Sequence, residues 1–267
     1  MFALIILGLV QGLTEFLPVS STAHLLFTEH YLGIPRPGLV LEAVLHLGTA
    51  AAAIVMFWPD VVRLLRAAGS LARPGRGSDG RHHGDGRLLT VVVTATLVTA
   101  VLGFAFADPL EQMFRSVRGT AYQLVVTGII LLWRRERGAR DGEDAGLVDG
   151  LALGVAQALA IVPGISRSGT TIVTGLALGF RRTESARLSF LIAIPAIVGA
   201  SLFSLRDASE ASRLGFALSE LLVGGVVAGV SGAMAIAWLL NLVRRQRLAW
   251  FALYCWVVAA MVLLTAR

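Results

Sequence analysis

Apolar residues run in long blocks along the chain, and short arginine-rich stretches separate the blocks. A helix needs about twenty apolar residues to cross the hydrocarbon core of a bilayer. The pattern therefore predicts six membrane-spanning helices, the third of which is short for a span: 39–58, 88–107, 119–133, 188–205, 216–240 and 248–265.

The overall composition excludes a soluble globular enzyme. Hydrophobic residues make up 56% of the 267 residues, and the mean hydropathy is +0.76. The single cysteine, Cys255, lies in an apolar block, which excludes disulfides and cysteine-based metal sites. All 23 basic residues are arginines, and the net charge of +6 is typical of cytoplasmic loops in a membrane protein. We therefore expect no nucleic-acid partner.

The arginine-rich stretches orient the helices, because basic loops of membrane proteins stay on the cytoplasmic side. The connections 108–118 and 206–213 balance arginine with acidic residues and are predicted to lie outside. Residues 70–87, with His82 and His83, predict a solvated loop without a fold of its own, and a metal-binding tract is much less favoured. The predicted cytoplasmic loops are 59–87, 134–146, 180–187 and 244–247.

Two segments are predicted to enter and leave the membrane from the same face. The apolar segment 147–179 joins two cytoplasmic loops, so it must turn back inside the membrane. Pro163 and Gly164 supply the break, because proline cannot continue a helix and glycine accepts sharp turns. By the same logic residues 1–27, broken at Pro18, form a hairpin that enters from outside.

Each half of the chain then holds one re-entrant hairpin and three spans. Because three crossings is an odd number, the second half begins on the opposite face. We predict an all-α, polytopic helical membrane protein with six transmembrane helices and two re-entrant helical hairpins in an inverted-topology repeat. The single domain covers 1–267, with repeat 1 at about 1–133 and repeat 2 at about 147–267. The two hairpin tips can meet near the middle of the membrane.

The two broken segments also share their chemistry. Each runs from a glutamine, Gln11 or Gln157, through apolar residues to a proline and then into a cluster of hydroxyls. Such hydroxyls typically cap a helix N-terminus, which offers free N–H groups and a positive dipole end to an anion. Arg167 adds a planar fork that matches phosphate. The predicted residues that bind a phosphate or pyrophosphate group of the substrate are Gln11, Ser20, Thr22, Ser166, Ser168 and Thr171.

Spacing suggests roles for the reactive residues. Ser21 and His24 are three residues apart, on one helix face, as a nucleophile beside its base would be. Gln11 and Glu15 are four apart, also on one face. Glu15 could orient His24, act as a second acid or base, or hold a divalent cation that bridges phosphate oxygens. Ionisable groups at membrane depth, here with Arg167, indicate function rather than packing.

Other polar residues have simpler explanations. Serine and threonine in membrane helices often bond only the preceding turn or a neighbouring helix. Glu42 and His46, at the start of a span, could line the same cavity or lie at the membrane interface. Glu184 and Arg187 are expected to form a surface ion pair.

Two motifs resemble the signatures of the undecaprenyl-pyrophosphate phosphatases of the bacitracin-resistance type. That family has a (Glu/Gln)-x-x-x-Glu motif and a Pro-Gly-x-Ser-Arg-Ser-x-x-Thr motif, and both are present at the expected separation. The similarity extends over the whole chain. The matching segments are Gln11-Gly12-Leu13-Thr14-Glu15, Pro18-Val19-Ser20-Ser21-Thr22-Ala23-His24 and Pro163-Gly164-Ile165-Ser166-Arg167-Ser168-Gly169-Thr170-Thr171.

The resemblance implies a hydrolase that removes the terminal phosphate from undecaprenyl pyrophosphate. This recycles the lipid carrier for peptidoglycan and other cell-wall polymers, on which cell shape depends, and confers resistance because bacitracin sequesters the substrate. The family's catalytic roles carry over to Glu15, Ser21, His24 and Arg167. Whether Ser21 or His24 forms a covalent phospho-intermediate stays open, with Ser21 favoured.

The resemblance also implies the bacterial plasma membrane, a site that opens to its outer face, and support by Mg²⁺ or Ca²⁺. Glu15 is the candidate metal ligand, but many members have glutamate where this chain has Gln11, which weakens a site built on two carboxylates. The expected partner is a polyprenyl pyrophosphate lipid, and a homodimer is a candidate assembly.

Two other classes of membrane protein act on or carry similar lipids. The type-2 phosphatidic acid phosphatases need a histidine six positions after a Ser-Arg pair, where this chain has Val173. A transporter or flippase for the polyprenyl phosphate stays the alternative, because inverted repeats with re-entrant tips are a transporter architecture. The pair Ser21 and His24 argues for the enzyme, since a carrier needs no nucleophile beside a base.

Overall fold

The computed structural model describes residues 1–34, 38–71, 82–107, 109, 113, 116–133, 138–205, 217–245 and 248–266. Over these residues the fold is entirely helical, and the sole extended pairing is one bridge between Arg140 and Phe180. A short 3₁₀ turn covers Gly142–Asp144. The α-helices in the described residues are α1 Phe2–Phe16, α2 Ser21–Leu32, α3 Gly38–Met56, α4 Trp58–Leu71, α5 His82–Ala105, α6 Val117–Leu132, α7 Leu147–Leu159, α8 Arg167–Ala177, α9 Arg182–Ser204, α10 Leu218–Arg244 and α11 Ala249–Thr265.

Each of the six predicted spans coincides with one helix: α3, α5, α6, α9, α10 or α11. Three helices in the described residues are long and apolar enough to cross a bilayer unaided: α5 from Gly84, α9 and α10. The others are shorter or bent, so the lengths alone do not fix the number of crossings. The architecture is that of a multi-pass helical membrane protein.

The predicted loop 59–87 is helical at both ends, so the expectation that 70–87 has no fold of its own was wrong at residues 70–71 and 82–87. The chain turns by 89° after α3 and continues as α4, whose arginines alternate with apolar residues in a strongly amphipathic pattern. Arg63 of α4 forms an ion pair with Asp85, which joins α4 to the start of α5, and a second, exposed pair with Glu143 of the 3₁₀ turn. His82 and His83 begin α5 instead of lying in a loop, and residues 72–81 lie outside the described residues.

The predicted loop 180–187 is also mostly helical, because α9 begins at Arg182. Arg187 pairs with Glu184 as expected, at 3.0 Å, but it also binds Asp60 at 2.5 Å and so joins α9 to α4. The predicted outside connections 108–118 and 206–213 lie largely outside the described residues.

Both predicted breaks are present. The helix α1 ends at Phe16, one residue before the Leu17-Pro18 step, and α7 ends at Leu159, before Pro163. A serine caps the helix after each break: the Ser20 hydroxyl accepts from Ala23 N, and the Ser166 hydroxyl accepts from Gly169 N. We call the stretch from Leu17 to Ser20 the first tip and the stretch from Ala160 to Ser166 the second tip.

The first arm of each hairpin packs closely on a long helix of the other half of the chain. The helix α1 lies against α10, where a Cβ on Gly8 would come within 2.6 Å of the Gly224 carbonyl. The helix α7 lies against α5, where a Cβ on Gly154 would come within 2.8 Å of Val98. Small residues permit this close approach of helices in membranes.

The hydrogen bonds across these two interfaces also correspond. A hydroxyl of the long helix donates to the glycine carbonyl in each case: Ser231 to Gly8 at 3.5 Å, and Thr99 to Gly154 at 3.3 Å. Beyond these pairs, α3 packs on α9 and α6 packs on α11. The first arms of the two hairpins, α1 and α7, therefore make matching contacts in the described part of the chain.

The second tip is held by α6. The Thr127 hydroxyl donates to the Gly164 carbonyl at 2.7 Å and accepts from Ser166 N at 2.9 Å. Gly164 has φ +94°, and a Cβ there would collide with the backbone carbonyl of Thr120. The glycine is needed both for the left-handed conformation and for the close approach to α6.

Candidate active site

The carboxylate of Glu15 lies at the centre of the predicted site. It is almost fully buried at the end of α1 and accepts hydrogen bonds from three side chains. Ser21 Oγ donates to Glu15 Oε2 at 2.6 Å, and Gln11 Nε2 donates to the same oxygen at 3.0 Å. Arg167 Nη2 donates to Glu15 Oε1 at 2.5 Å. The predicted nucleophile and the predicted phosphate-binding arginine are therefore separated by a single carboxylate group.

This ion pair brings the two tips together. The first tip supplies a backbone acceptor as well, because Ser168 Oγ donates to the Leu17 carbonyl at 3.0 Å. The first turns of α2 and α8 therefore lie beside the same carboxylate, and the first N–H groups of a helix have no acceptor within it. Two helix N-termini that converge in this way are suited to a multiply charged anion.

Arg167 has an unused hydrogen-bonding nitrogen. Among the described residues, Nη1 of this guanidinium is buried and has no hydrogen-bond partner, whereas Nη2 binds Glu15. A buried, unsatisfied donor costs about 1–3 kcal/mol, and more when the group is charged. A phosphate oxygen at Nη1 would remove that cost, because a guanidinium matches phosphate geometry.

His24 does not face Ser21, contrary to the arrangement expected from their spacing. Its Nδ1 lies 2.8 Å from the Ser20 carbonyl, and its Nε2 lies 2.9 Å from the Tyr254 hydroxyl. Helical spacing puts Ser21 and His24 on one face, but it does not select their partners. The Glu15 carboxylate is a stronger hydrogen-bond acceptor than the His24 imidazole, because it is charged. The Ser21 hydroxyl therefore bonds to Glu15.

Ser20 has an unusual backbone conformation. Its φ is +68°, in the region that non-glycine residues rarely adopt, and it is the one such residue in the described part of the chain. Its carbonyl accepts from both the backbone N and the Nδ1 of His24. Strain of this kind costs roughly 1–3 kcal/mol and clusters at functional sites.

A second histidine stands behind the carboxylate. His46 Nε2 is 3.7 Å from Glu15 Oε2, and its Nδ1 is 2.8 Å from the Glu42 carbonyl. Of the two alternatives for His46, the structure supports the one in which it lines the site.

Four of the five predicted substrate-binding hydroxyls have protein partners in the structure. Ser20 and Ser166 are helix caps, and Ser168 bonds the first tip. The Thr171 hydroxyl lies 2.6 Å from Ser189 Oγ, which joins α8 to α9, and Thr22 is half-buried in the first turn of α2. Their contact with a substrate stays a prediction.

An apolar groove of about 600 Å³ begins at His24. It runs between α1, α2, α10 and α11 and is lined mainly by large apolar side chains, among them Leu13, Leu17, Trp238 and Phe251. Its polar lining residues are Thr14, His24, Thr28 and Tyr254. The groove therefore places an apolar surface, of the kind that a lipid chain could contact, beside α1 and α2, the helices that carry Glu15 and Ser21.

Comparison with known proteins identifies the family. The profile described as "Bacitracin resistance protein BacA" matches residues 4–261, which include both tips and the groove. The chain belongs to the BacA family. Relatives named undecaprenyl-diphosphatase in Alkaliphilus metalliredigens and Moorella thermoacetica are 38% and 39% identical; the first alignment covers 98% of each chain, and the second covers 97% of this chain and 95% of the relative. The protein named undecaprenyl-diphosphatase 2 in Streptomyces coelicolor is 38% identical over 95% of this chain and 90% of its own.

Sequence reasoning on this BacA family member did not find Tyr254. The residue lies in α11, in an apolar block without a motif, and its contact with His24 spans 230 positions of the chain. Its one sequence signal is a hydroxyl within an otherwise apolar span. The spacing of Glu42 and His46 indicates that His46 could line the site, but it does not predict the contact of His46 with Glu15.

The residues around Glu15 fit a divalent cation in part. Gln11 Oε1 is buried and has no hydrogen-bond partner among the described residues, so a carbonyl oxygen lies beside the carboxylate. Hard cations bound with substrate phosphates commonly use one or two protein oxygens. No group of three or more acidic, histidine or cysteine ligands occurs in the described residues. A cation here would therefore depend on the phosphates for much of its coordination.

Proposed function

We propose that this chain hydrolyses undecaprenyl pyrophosphate to undecaprenyl phosphate and inorganic phosphate, the reaction named for its relatives. The observation that carries the proposal is the junction of the two tips, where Ser21 and Arg167 bind the two oxygens of one buried carboxylate. A site with a nucleophile, a base, a cationic fork and two helix N-termini suits phosphoryl transfer, which depends mainly on positioning and charge neutralisation.

The terminal phosphate is bound first. Its oxygens accept from Arg167 Nη1 and from backbone N–H groups in the first turns of α2 and α8, while the polyprenyl chain enters the apolar groove. Binding in this orientation holds the Ser21 hydroxyl against the terminal phosphorus, and the negative charge gained in the transition state faces the same donors.

The Ser21 oxygen then attacks the terminal phosphorus. Its proton passes to Glu15 Oε2, a new O–P bond forms, and the bond between the bridging oxygen and the terminal phosphorus breaks. The electron pair leaves with undecaprenyl phosphate. A phosphate monoester has a second pKa of about 6, so this leaving group departs without a proton near neutral pH.

Water completes the cycle by cleaving the phosphoserine. It enters on the side that the lipid phosphate has left, since displacement at phosphorus is in line. His24 lies on the groove side and takes a proton from this water through Nε2. The proton held by Glu15 returns to the Ser21 oxygen as the O–P bond breaks, and inorganic phosphate is released.

A divalent cation, Mg²⁺ or Ca²⁺, is proposed as a cofactor. Glu15 and Gln11 Oε1 would hold it, and it would neutralise charge on the two phosphates. Gln11 is neutral where many family members have an acidic residue, so we expect weak binding before the substrate arrives.

We also propose that the chain is an inverted-topology repeat of six spans and two re-entrant hairpins, with halves at about 1–133 and 147–267. The matched packing of α1 on α10 and α7 on α5 supports this arrangement, as do the matching caps Ser20 and Ser166. The location that follows is the bacterial plasma membrane, with the first hairpin and the site open to the outer face. The homodimer and the transport of polyprenyl phosphate stay predictions.

The test is phosphate release from a polyprenyl pyrophosphate by the purified protein in detergent. We expect Glu15→Gln, His24→Ala and Arg167→Ala to lower kcat/KM by at least ~10²-fold, as expected when an acid–base or charge-stabilising group is lost. Glu143→Gln and Arg244→Ala, at exposed positions, serve as controls and should retain wild-type activity. Full activity of the three site variants would refute this site.

A further inference from the structure

Tyr254 makes two separate contacts with His24. Its hydroxyl lies 2.9 Å from Nε2, and its ring stacks on the imidazole with a centroid distance of 5.6 Å and an interplanar angle of 7°. Phe27 contacts the imidazole from another side, at 6.4 Å between ring centroids. A side chain that is both stacked and hydrogen-bonded in this way has little freedom to change rotamer.

The partners of His24 fix which nitrogen carries the proton. The Ser20 carbonyl is only an acceptor, so Nδ1 must be the N–H that donates to it. In the neutral ring Nε2 then has the free lone pair, and the Tyr254 hydroxyl donates to it. The nitrogen that can accept a proton is therefore the one that Tyr254 holds.

The position of Tyr254 and His24 relates them to the leaving-group side of the phosphorus. Both rings line the apolar groove, whereas Ser21 and Glu15, which bond to each other at the junction of the tips, do not line it. The lipid chain is attached to the leaving phosphate, and the nucleophile and leaving group lie on opposite sides of the phosphorus. The groove side is thus where the lipid phosphate departs and where water enters.

We propose that Tyr254 is a positioning residue that holds His24 Nε2 toward the leaving-group side, ready to take a proton from the water that cleaves the phosphoserine. The inference rests on the proposed function. In that step the water oxygen bonds to phosphorus, its proton passes to Nε2, and the Ser21 O–P bond breaks. The entering water replaces the Tyr254 hydroxyl as the hydrogen-bond partner of Nε2. The hydroxyl remains beside the water and can hydrogen-bond to it.

The test is a double-mutant cycle on phosphate release. Tyr254→Phe retains the stacked ring but removes the hydroxyl, and we expect kcat to fall about tenfold with KM changed less than twofold. Since Tyr254 acts through His24, adding Tyr254→Phe to His24→Ala should lower kcat no further. Tyr122→Phe, the same change at an exposed position of α6, is the matched control and should leave kcat unchanged in both backgrounds.

The outcomes separate the two proposals. No phosphate release by the wild-type protein would overturn the proposed function, and this inference with it. An active wild type whose kcat is unaffected by Tyr254→Phe would overturn the inference alone. An additive tenfold loss in the His24→Ala background would also overturn it, because Tyr254 would then act independently of His24.

Discussion

Gly12 is the position where the packing of α1 is most demanding. It faces α10 one turn before Glu15, and a Cβ built on it would lie 2.8 Å from Gly232 N and closer still to Ser231 Oγ and the Ala228 carbonyl. Non-bonded carbon contacts are most favourable at about 3.5–4.0 Å. The change Gly12→Ala therefore requires α1 and α10 to separate by about 1 Å, and two of the three colliding atoms belong to backbone that cannot rotate away.

We expect two effects of this separation. Overpacking a tight interface typically costs about 1–3 kcal/mol, and the rigid backbone atoms put Gly12→Ala at the upper end. Glu15 moves with α1, and a displacement of about 1 Å in a catalytic group can lower the rate by about 10²-fold. Removing the one movable obstacle with Ser231→Gly should restore only part of the loss, since the Ala228 carbonyl and Gly232 N remain.

The measurement pairs thermal unfolding in detergent with phosphate release. The control is Gly199→Ala in the spanning helix α9, where a Cβ would meet no atom within 4 Å. This control should be neutral or slightly stabilising, because alanine favours a helix by about 1 kcal/mol over glycine. If Gly12→Ala behaved like Gly199→Ala in both assays, the close packing of α1 on α10 would be refuted.

Three further outcomes are expected. Gln11→Glu adds a second carboxylate beside Glu15 and should lower the Mg²⁺ concentration for half-maximal activity about tenfold; an unchanged Mg²⁺ titration would exclude Gln11 from the cation site. Cysteines at Ser70 and Ser116, in a background without Cys255, should react with an impermeant maleimide from opposite faces of the membrane; labelling from one face would contradict the inverted repeat. Arg167→Lys keeps the charge but loses the fork, so we expect phosphate release to fall at least tenfold; wild-type activity would show that a point charge suffices.

The sequence predicts the helical elements well where their formation depends on neighbouring residues in the chain. Long apolar blocks select spanning helices, and Pro18 and Pro163 each precede a cluster of capping hydroxyls, so the breaks and the capping serines could be foreseen, whereas Pro195 lies inside α9 without ending it. The helix α4 could not be foreseen, because an arginine-rich segment is also typical of a solvated loop. Its ion pairs are with distant parts of the chain: Arg63 of α4 binds Asp85 of α5, and Asp60 of α4 binds Arg187 of α9.

The contacts within the predicted site depend on long-range packing. Glu15, Ser21 and Arg167 are expected to lie together, and the two hairpins place Ser21 and Arg167 each within one hydrogen bond of Glu15. The partner of His24 was not foreseen, because helical spacing shows which residues share a face of the helix but not which groups they bond. Tyr254 approaches from the far end of the chain, and such a contact is determined by the packing of α11 on α6 and on the first tip.

The central claim is that Ser21 attacks the terminal phosphorus while Arg167 binds the phosphate and Glu15 takes the serine proton. It is tested most directly by mixing the protein with a polyprenyl pyrophosphate that carries ³²P on the terminal phosphate. The protein is denatured in SDS at neutral pH within one turnover, and the labelled residue is mapped by mass spectrometry. We predict label on Ser21, more of it in His24→Ala because the hydrolysis step is slowed, and none in Ser21→Ala, which should also release no phosphate. Label on His24, or phosphate release by Ser21→Ala at the wild-type rate, would contradict the account.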